Sequence, residues 1–187
     1  MPEQDDGRVI EAVRLNEYFH HAVHSAAGRR HLCADKATLH YLSSLLSQYA
    51  RSEEVYDYSE QRLQLRPLAL LYNEAIEAQG ACERRLWLQR LGDLALFVGG
   101  LFAGQLNRHF CDLDYCVAMG GNAYGYLQQT STQPGQQAQA RVFGELADRF
   151  TQFVDLVATV TGRRDDPPRA SGRTDVLTRP RAGIRLR

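Results

Sequence analysis

Apolar residues recur at three- and four-residue spacing over nearly the whole stretch from residue 8 to residue 162, and no segment sustains the two-residue alternation of a strand. The pattern predicts helices throughout. A first helix over 9–27 carries Val9, Val13, Phe19, Ala22, Val23 and Ala26 on its apolar positions, with Gly28 as a C-cap. A second follows Asp35, a good N-cap, and its apolar face is Leu39, Leu42, Leu45, Leu46 and Tyr49. A third opens with Pro67 near its first turn and stops at Gly80. The fourth, over 82–107, is amphipathic at first and then almost wholly apolar through Leu94, Ala95, Phe97, Val98, Leu101 and Phe102, which places it at the centre of a bundle.

A polar turn at 108–112 separates it from a fifth helix that begins near Asp114 and ends in the loop Thr130-Ser131-Thr132-Gln133-Pro134-Gly135. One last helix then presents Val142, Phe143, Leu146, Phe150, Phe153, Val157 and Val160. These elements predict an all-α, single-domain bundle of about six helices around a central apolar helical hairpin. The expected organisation is a flexible N-terminus (1–7), a bundle domain (8–162) and a disordered basic tail (163–187). That tail holds eight arginines against Asp165, Asp166 and Asp175, a formal +5, which leaves −5 for the rest of a neutral chain.

Two copies of one pattern, Gly99-Gly100-x-x-x-Gly104 and Gly120-Gly121-x-x-x-Gly125, fall where the periodicity demands helix. Each interior glycine costs about 0.5–1 kcal/mol relative to alanine, so a compensating gain is expected. Both patterns are equally far from the turn near residue 112, so in an antiparallel hairpin they would face each other at one height. Close backbone packing, a ligand slot between the two helices and a helix break at a Gly-Gly pair are the three readings this permits. The run Arg90-Leu91-Gly92-Asp93-Leu94-Ala95-Leu96-Phe97, with Asp112-Leu113-Asp114-Tyr115 and Met119-Gly120-Gly121-Asn122-Ala123-Tyr124-Gly125, resembles a group of uncharacterised helical bacterial proteins. The resemblance spans about residues 35–160. It implies a bacterial source and a helical fold, and it brings no activity or cofactor with it.

Candidate chemistry is sparse. His20 and His24 share a helix face at i, i+4, but His21 stands where a zinc protease would carry glutamate, and the histidines read as a solvated face. His31-x-Cys33 and His109-x-Cys111, with Cys116 near, lack the Cys-x2-4-Cys knuckle of structural zinc, and the four cysteines read as reduced thiols. No Glu-x-x-His of a di-iron bundle, phosphate loop, dinucleotide fingerprint or nucleophile elbow occurs. Arg90 and Asp93, at i, i+3 before the most apolar part of the fourth helix, should form a structural ion pair, with each other or with Arg108, Asp112 or Asp114 at the hairpin end, or anchor a ligand.

The expected function is accordingly a non-enzymatic helical interaction or regulatory protein whose partner is another protein. It needs no metal or cofactor, and the acidic N-terminus and the lack of an apolar run longer than residues 94–104 indicate a cytoplasmic chain. The tail adds weak, sequence-independent contact with nucleic acid. The other reading is a helical small-molecule or cofactor-binding protein. Its site would be a glycine-lined slot formed by Arg90, Asp93, Gly100, Gly104, Gly121, Tyr124 and Gly125, with Tyr115 and Tyr126 nearby.

Overall fold

In a computed structural model the described residues are 5–51, 68–102 and 112–162. They form seven helices and no strand: α1 (Asp5–Arg29), α2 (Lys36–Arg51), α3 (Leu68–Glu77), α4 (Ala81–Phe102), α5 (Leu113–Thr130), α6 (Gln137–Asp148) and α7 (Phe150–Val160). Pro67, Gly104, the turn at 108–111 and the tail at 163–187 lie outside the described residues. No described helix is long and apolar enough to cross a membrane.

Helix α1 runs past Gly28, because the chain closes it with a Schellman motif one turn later. Leu32 N–H donates to Ala27 carbonyl oxygen at 2.9 Å and His31 N–H to Gly28 oxygen at 3.1 Å, with His31 at φ 51°. Asp35 caps α2 as its sequence position predicts, its carboxylate accepting from Ala37 N–H at 2.8 Å. Asp112 does the same for α5 through Asp114 N–H at 3.1 Å. Arginines serve the C-terminal ends. Arg84 donates to the Ala75 oxygen in the last turn of α3 and to the Ala78 oxygen just past it, and Arg85 donates to Leu127 oxygen and the Thr130 and Ser131 hydroxyls where α5 ends.

α4 is the central rod, packed against α3, α5 and α7. Leu88, Leu91, Leu94, Ala95, Leu96, Phe97 and Val98 are all buried, as an all-round apolar helix requires. Its pairing with α5 is antiparallel: Gly92 lies by Tyr124, Ala95 by Gly120 and Gly99 by Leu113. That register places Gly121 level with about Leu94, so Gly100 and Gly121 stand roughly six residues, or 9 Å, apart along the axis. The expected face-to-face meeting of the glycine patterns does not occur.

The single last helix of the periodicity is two helices. The rod bends at Arg149 (φ −123°, ψ 27°), whose guanidinium holds Glu145 and Gln152 and reaches Cys33 carbonyl oxygen at 2.6 Å. Apolar spacing continues unbroken through the bend, so the sequence does not reveal it. The bend lets α6 cover α5 and α2 while α7 covers α4 and α1.

Candidate functional site

Asp93 sits in the middle of α4, and two phenols converge on it. Tyr41 of α2 donates its hydroxyl to Asp93 Oδ1 at 2.5 Å, and Tyr124 of α5 donates to the same oxygen at 2.7 Å. Gln89 Nε2, one turn earlier on α4, donates to Tyr41 Oη at 3.2 Å. The cluster thereby ties three helices at one carboxyl. Phe143 of α6 walls it, edge-on to Tyr41 and stacked on Tyr124 with ring centroids 5.7 Å apart. Tyr49 stacks on Phe97 at 4.6 Å on the same side of α4.

Burial dominates the electrostatics. Loss of water pushes the Asp93 carboxyl up to about 6 although both tyrosine hydrogen bonds pull it down. Tyr41, Tyr49 and Tyr124 are pushed above the ordinary phenol range, first by burial and next by the Asp93 charge. The group can therefore hold a proton close to neutral pH, while the phenols stay neutral donors.

Gly92 makes this arrangement possible. A Cβ there would lie 2.8 Å from Tyr124 Cε1, so only glycine seats the ring against α4 at this depth. Gly92, Tyr41 and Gln89 are the site residues that sequence reasoning missed. The legible signal was a third interior glycine directly before a carboxylate in an apolar helix.

The other candidate residues separate. Arg90 is exposed and lies over the Trp87 ring at 4.9 Å, so the expected Arg90–Asp93 ion pair is replaced by a cation–π contact and by the tyrosine hydrogen bonds. Gly100 faces α7, where its Cβ would meet Val157 Cγ1 at 2.4 Å, and Gly99 faces Val154. Gly120 is closed by Phe150, 2.2 Å from its Cβ position. Gly121 and Gly125 look toward Ala147 of α6, at 3.9 and 4.0 Å. The expected slot between α4 and α5 is thus filled by side chains where it can be seen, and Gly104 lies outside the described residues. Cysteine chemistry also departs from expectation. Cys33 and Cys82 are free and exposed, but Cys116 is buried and disulfide-bonded, its partner lying outside the described residues.

An opening does exist, on the other side of α4. A groove of about 600 Å³ runs between α3 and α5, floored by Leu88, Leu91 and Ala123 and flanked by Tyr72, Ile76, Met119 and Tyr126. Tyr72, Ile76 and Tyr126 are 45%, 57% and 37% exposed. Arg84 and Asn122 are the polar lining groups, and the Arg84 guanidinium is engaged by the α3 carbonyls. Comparison with protein-family models, curated proteins and solved structures finds no match to this chain.

Proposed function

We propose that this chain is a non-enzymatic protein-interaction module that receives an apolar segment of a partner protein in the α3–α4–α5 groove. The carrying observation is the groove itself, with a floor of buried leucines and with Tyr72, Ile76 and Tyr126 exposed along its flanks. Residues one turn apart on each wall, Tyr72 and Ile76 on α3 and Met119, Asn122 and Tyr126 on α5, give ridges between which a helix or extended segment can lay its side chains. Tyrosine supplies large contact area with a polar tip and little entropy loss, which suits a surface that must be wet when empty and dry when bound.

The reading is tested by recovering the tagged chain from its native cell in three forms: unaltered, Ile76→Asp with Tyr126→Asp, and Ser25→Glu on α1. A partner retained by the first and third and lost by the second supports it. A partner retained by the groove variant, with all three equally folded, removes the groove from the account. If the groove variant instead loses only a co-purifying small molecule, the site serves a ligand and the interaction reading fails.

A further inference from the structure

Gln89 and Asp93 lie one turn apart on α4, and the hydrogen bonds around them settle which of their atoms are left over. Tyr41 has a single hydroxyl proton, which goes to Asp93 Oδ1 at 2.5 Å, so its oxygen accepts from Gln89 Nε2 at 3.2 Å. Tyr124 donates to the same Oδ1 at 2.7 Å. Asp93 Oδ2 and Gln89 Oε1 take no part in this network, and no described residue donates to either. Both residues are half-buried and no described buried side-chain polar atom lacks a partner, so these two oxygens are reached by solvent. We propose that Asp93 Oδ2 and Gln89 Oε1 form an acceptor pair for a small organic cation bearing N–H donors, an alkylammonium or a guanidinium, bound beside Tyr41 and independent of the α3–α4–α5 groove.

The two acceptors are neighbours because amide and carboxylate both touch the one Tyr41 hydroxyl, and the phenols fix the carboxylate in place. Their chemistry selects the ligand. Burial and the two phenols act on Asp93 and no cation does, while Arg90, on the preceding turn, lies over the Trp87 ring. Above its midpoint the carboxyl is thus a half-buried anion with no counter-ion among the described residues, and an arriving cation gains more there than at a fully solvated one. A hard metal ion is a poor fit, since it takes about six oxygen ligands, and no described group of three His, Cys, Asp or Glu side chains could hold one. An ammonium or guanidinium needs only acceptors for its N–H groups, and a charged oxygen with a neutral one beside it satisfies two of them. Aromatic surface for the rest of the ligand is at hand in Tyr41 and in Tyr49, which is half-buried, stacks on Phe97 and feels the Asp93 charge.

Titration of the full chain with n-butylammonium chloride at about pH 8, with sodium chloride holding the ionic strength constant, tests the site by nuclear magnetic resonance. The Asp93 carboxyl carbon and the Gln89 side-chain amide should shift together and saturate in the millimolar range, as a single small cation allows. Methylguanidinium should behave alike. Tetramethylammonium carries the charge without an N–H and should bind at least about tenfold more weakly. Asp93→Asn, which keeps an acceptor for both phenols, should abolish saturation, and Gln89→Leu should weaken binding by about threefold to tenfold. Glu77→Gln, exposed on α3, should leave it unchanged. Shifts that never saturate, or that tetramethylammonium produces equally, would mean general charge attraction and would overturn the proposal; this comparison is made on the unaltered chain and holds whether or not a variant folds. Full binding by folded Asp93→Asn or Gln89→Leu would overturn it equally.

Discussion

The two sides of α4 treat polarity in opposite ways. Toward α2 and α5 the helix half-buries a carboxylate and sets phenols and aromatic rings against it. Toward the gap between α3 and α5 it leaves leucines as the floor of an open groove. Hydrophobic burial alone would place the aspartate outside, whereas the floor leucines Leu88 and Leu91 are themselves buried. The polar side is closed: each of the two phenols reaches Asp93, and no described buried side-chain polar atom lacks a partner. The apolar side is open only at its rim, its floor of Leu88, Leu91 and Ala123 belonging to the core. One side therefore concerns how the helices are held, and the other what the bundle can hold.

Mutations should sharpen that contrast. The largest effect is expected from Tyr124→Ala, which empties a fully buried ring position and removes one donor from Asp93. A loss of about 3–5 kcal/mol in denaturant unfolding is expected, and a loss under about 1 kcal/mol would mean the cluster does not bind the helices together.

Asp93→Asn comes next and has the opposite sign at neutral pH. The folded pKa, about 6, lies above the ordinary carboxyl value of 3.8, so the contribution of this group to stability is fully present below about 3.8 and is lost as pH rises through 6. A shift of that size corresponds to roughly 3 kcal/mol between acid and neutral pH. Asparagine keeps an acceptor for both phenols and cannot ionise. The variant should unfold like the parent near pH 4 and be more stable by about 1–3 kcal/mol at pH 8, allowing for weaker hydrogen bonds to a neutral acceptor.

Neighbouring glycines should diverge in the same assay. Gly120→Ala drives a methyl into Phe150 and should destabilise by about 1–3 kcal/mol. Gly121→Ala meets only Ala147 oxygen at ordinary contact distance and should stabilise by about 0.5–1 kcal/mol through helix propensity. Equal signs for the two would contradict the packing of Gly120 against Phe150 and of Gly121 beside Ala147. His31→Gly should gain a comparable 0.5–1 kcal/mol or so, since His31 occupies the left-handed position that closes α1.

The smallest stability effect belongs to the groove. Ile76→Asp projects into solvent and should change unfolding by about 0.5 kcal/mol or less, the range of ordinary surface substitutions. A large loss would show that the groove wall is structural and would weaken its assignment as a contact surface.

The fold was legible where signals are local. Asp35 and the polar residues at 131–135 mark helix ends through groups a few residues apart, and the all-apolar run of α4 identifies the central rod. The glycine partners were not legible, because they depend on the register of a hairpin whose connection is irregular, and an error of a few residues in the turn moves Gly121 from one neighbour to another. Asp93 was singled out correctly as a charge needing a partner, but its donors come from 52 and 31 residues away in sequence, and nothing local to Arg90-Leu91-Gly92-Asp93 distinguishes a tyrosine from an arginine partner. The bend at Arg149 escaped notice because both halves keep the same apolar spacing. The groove depends on where α3 stops covering α4, which only the assembled bundle fixes.

The half-buried Asp93 carboxyl is the feature on which the contrast between the two sides of α4 rests. A direct titration of the Asp93 side-chain carbon by nuclear magnetic resonance, assigned by comparison with Asp93→Asn, reads its protonation without involving global stability. The expected midpoint is about 6. A midpoint at the ordinary aspartate value near 3.8 would contradict it, because it would mean that Asp93 is solvated rather than enclosed by Tyr41 and Tyr124.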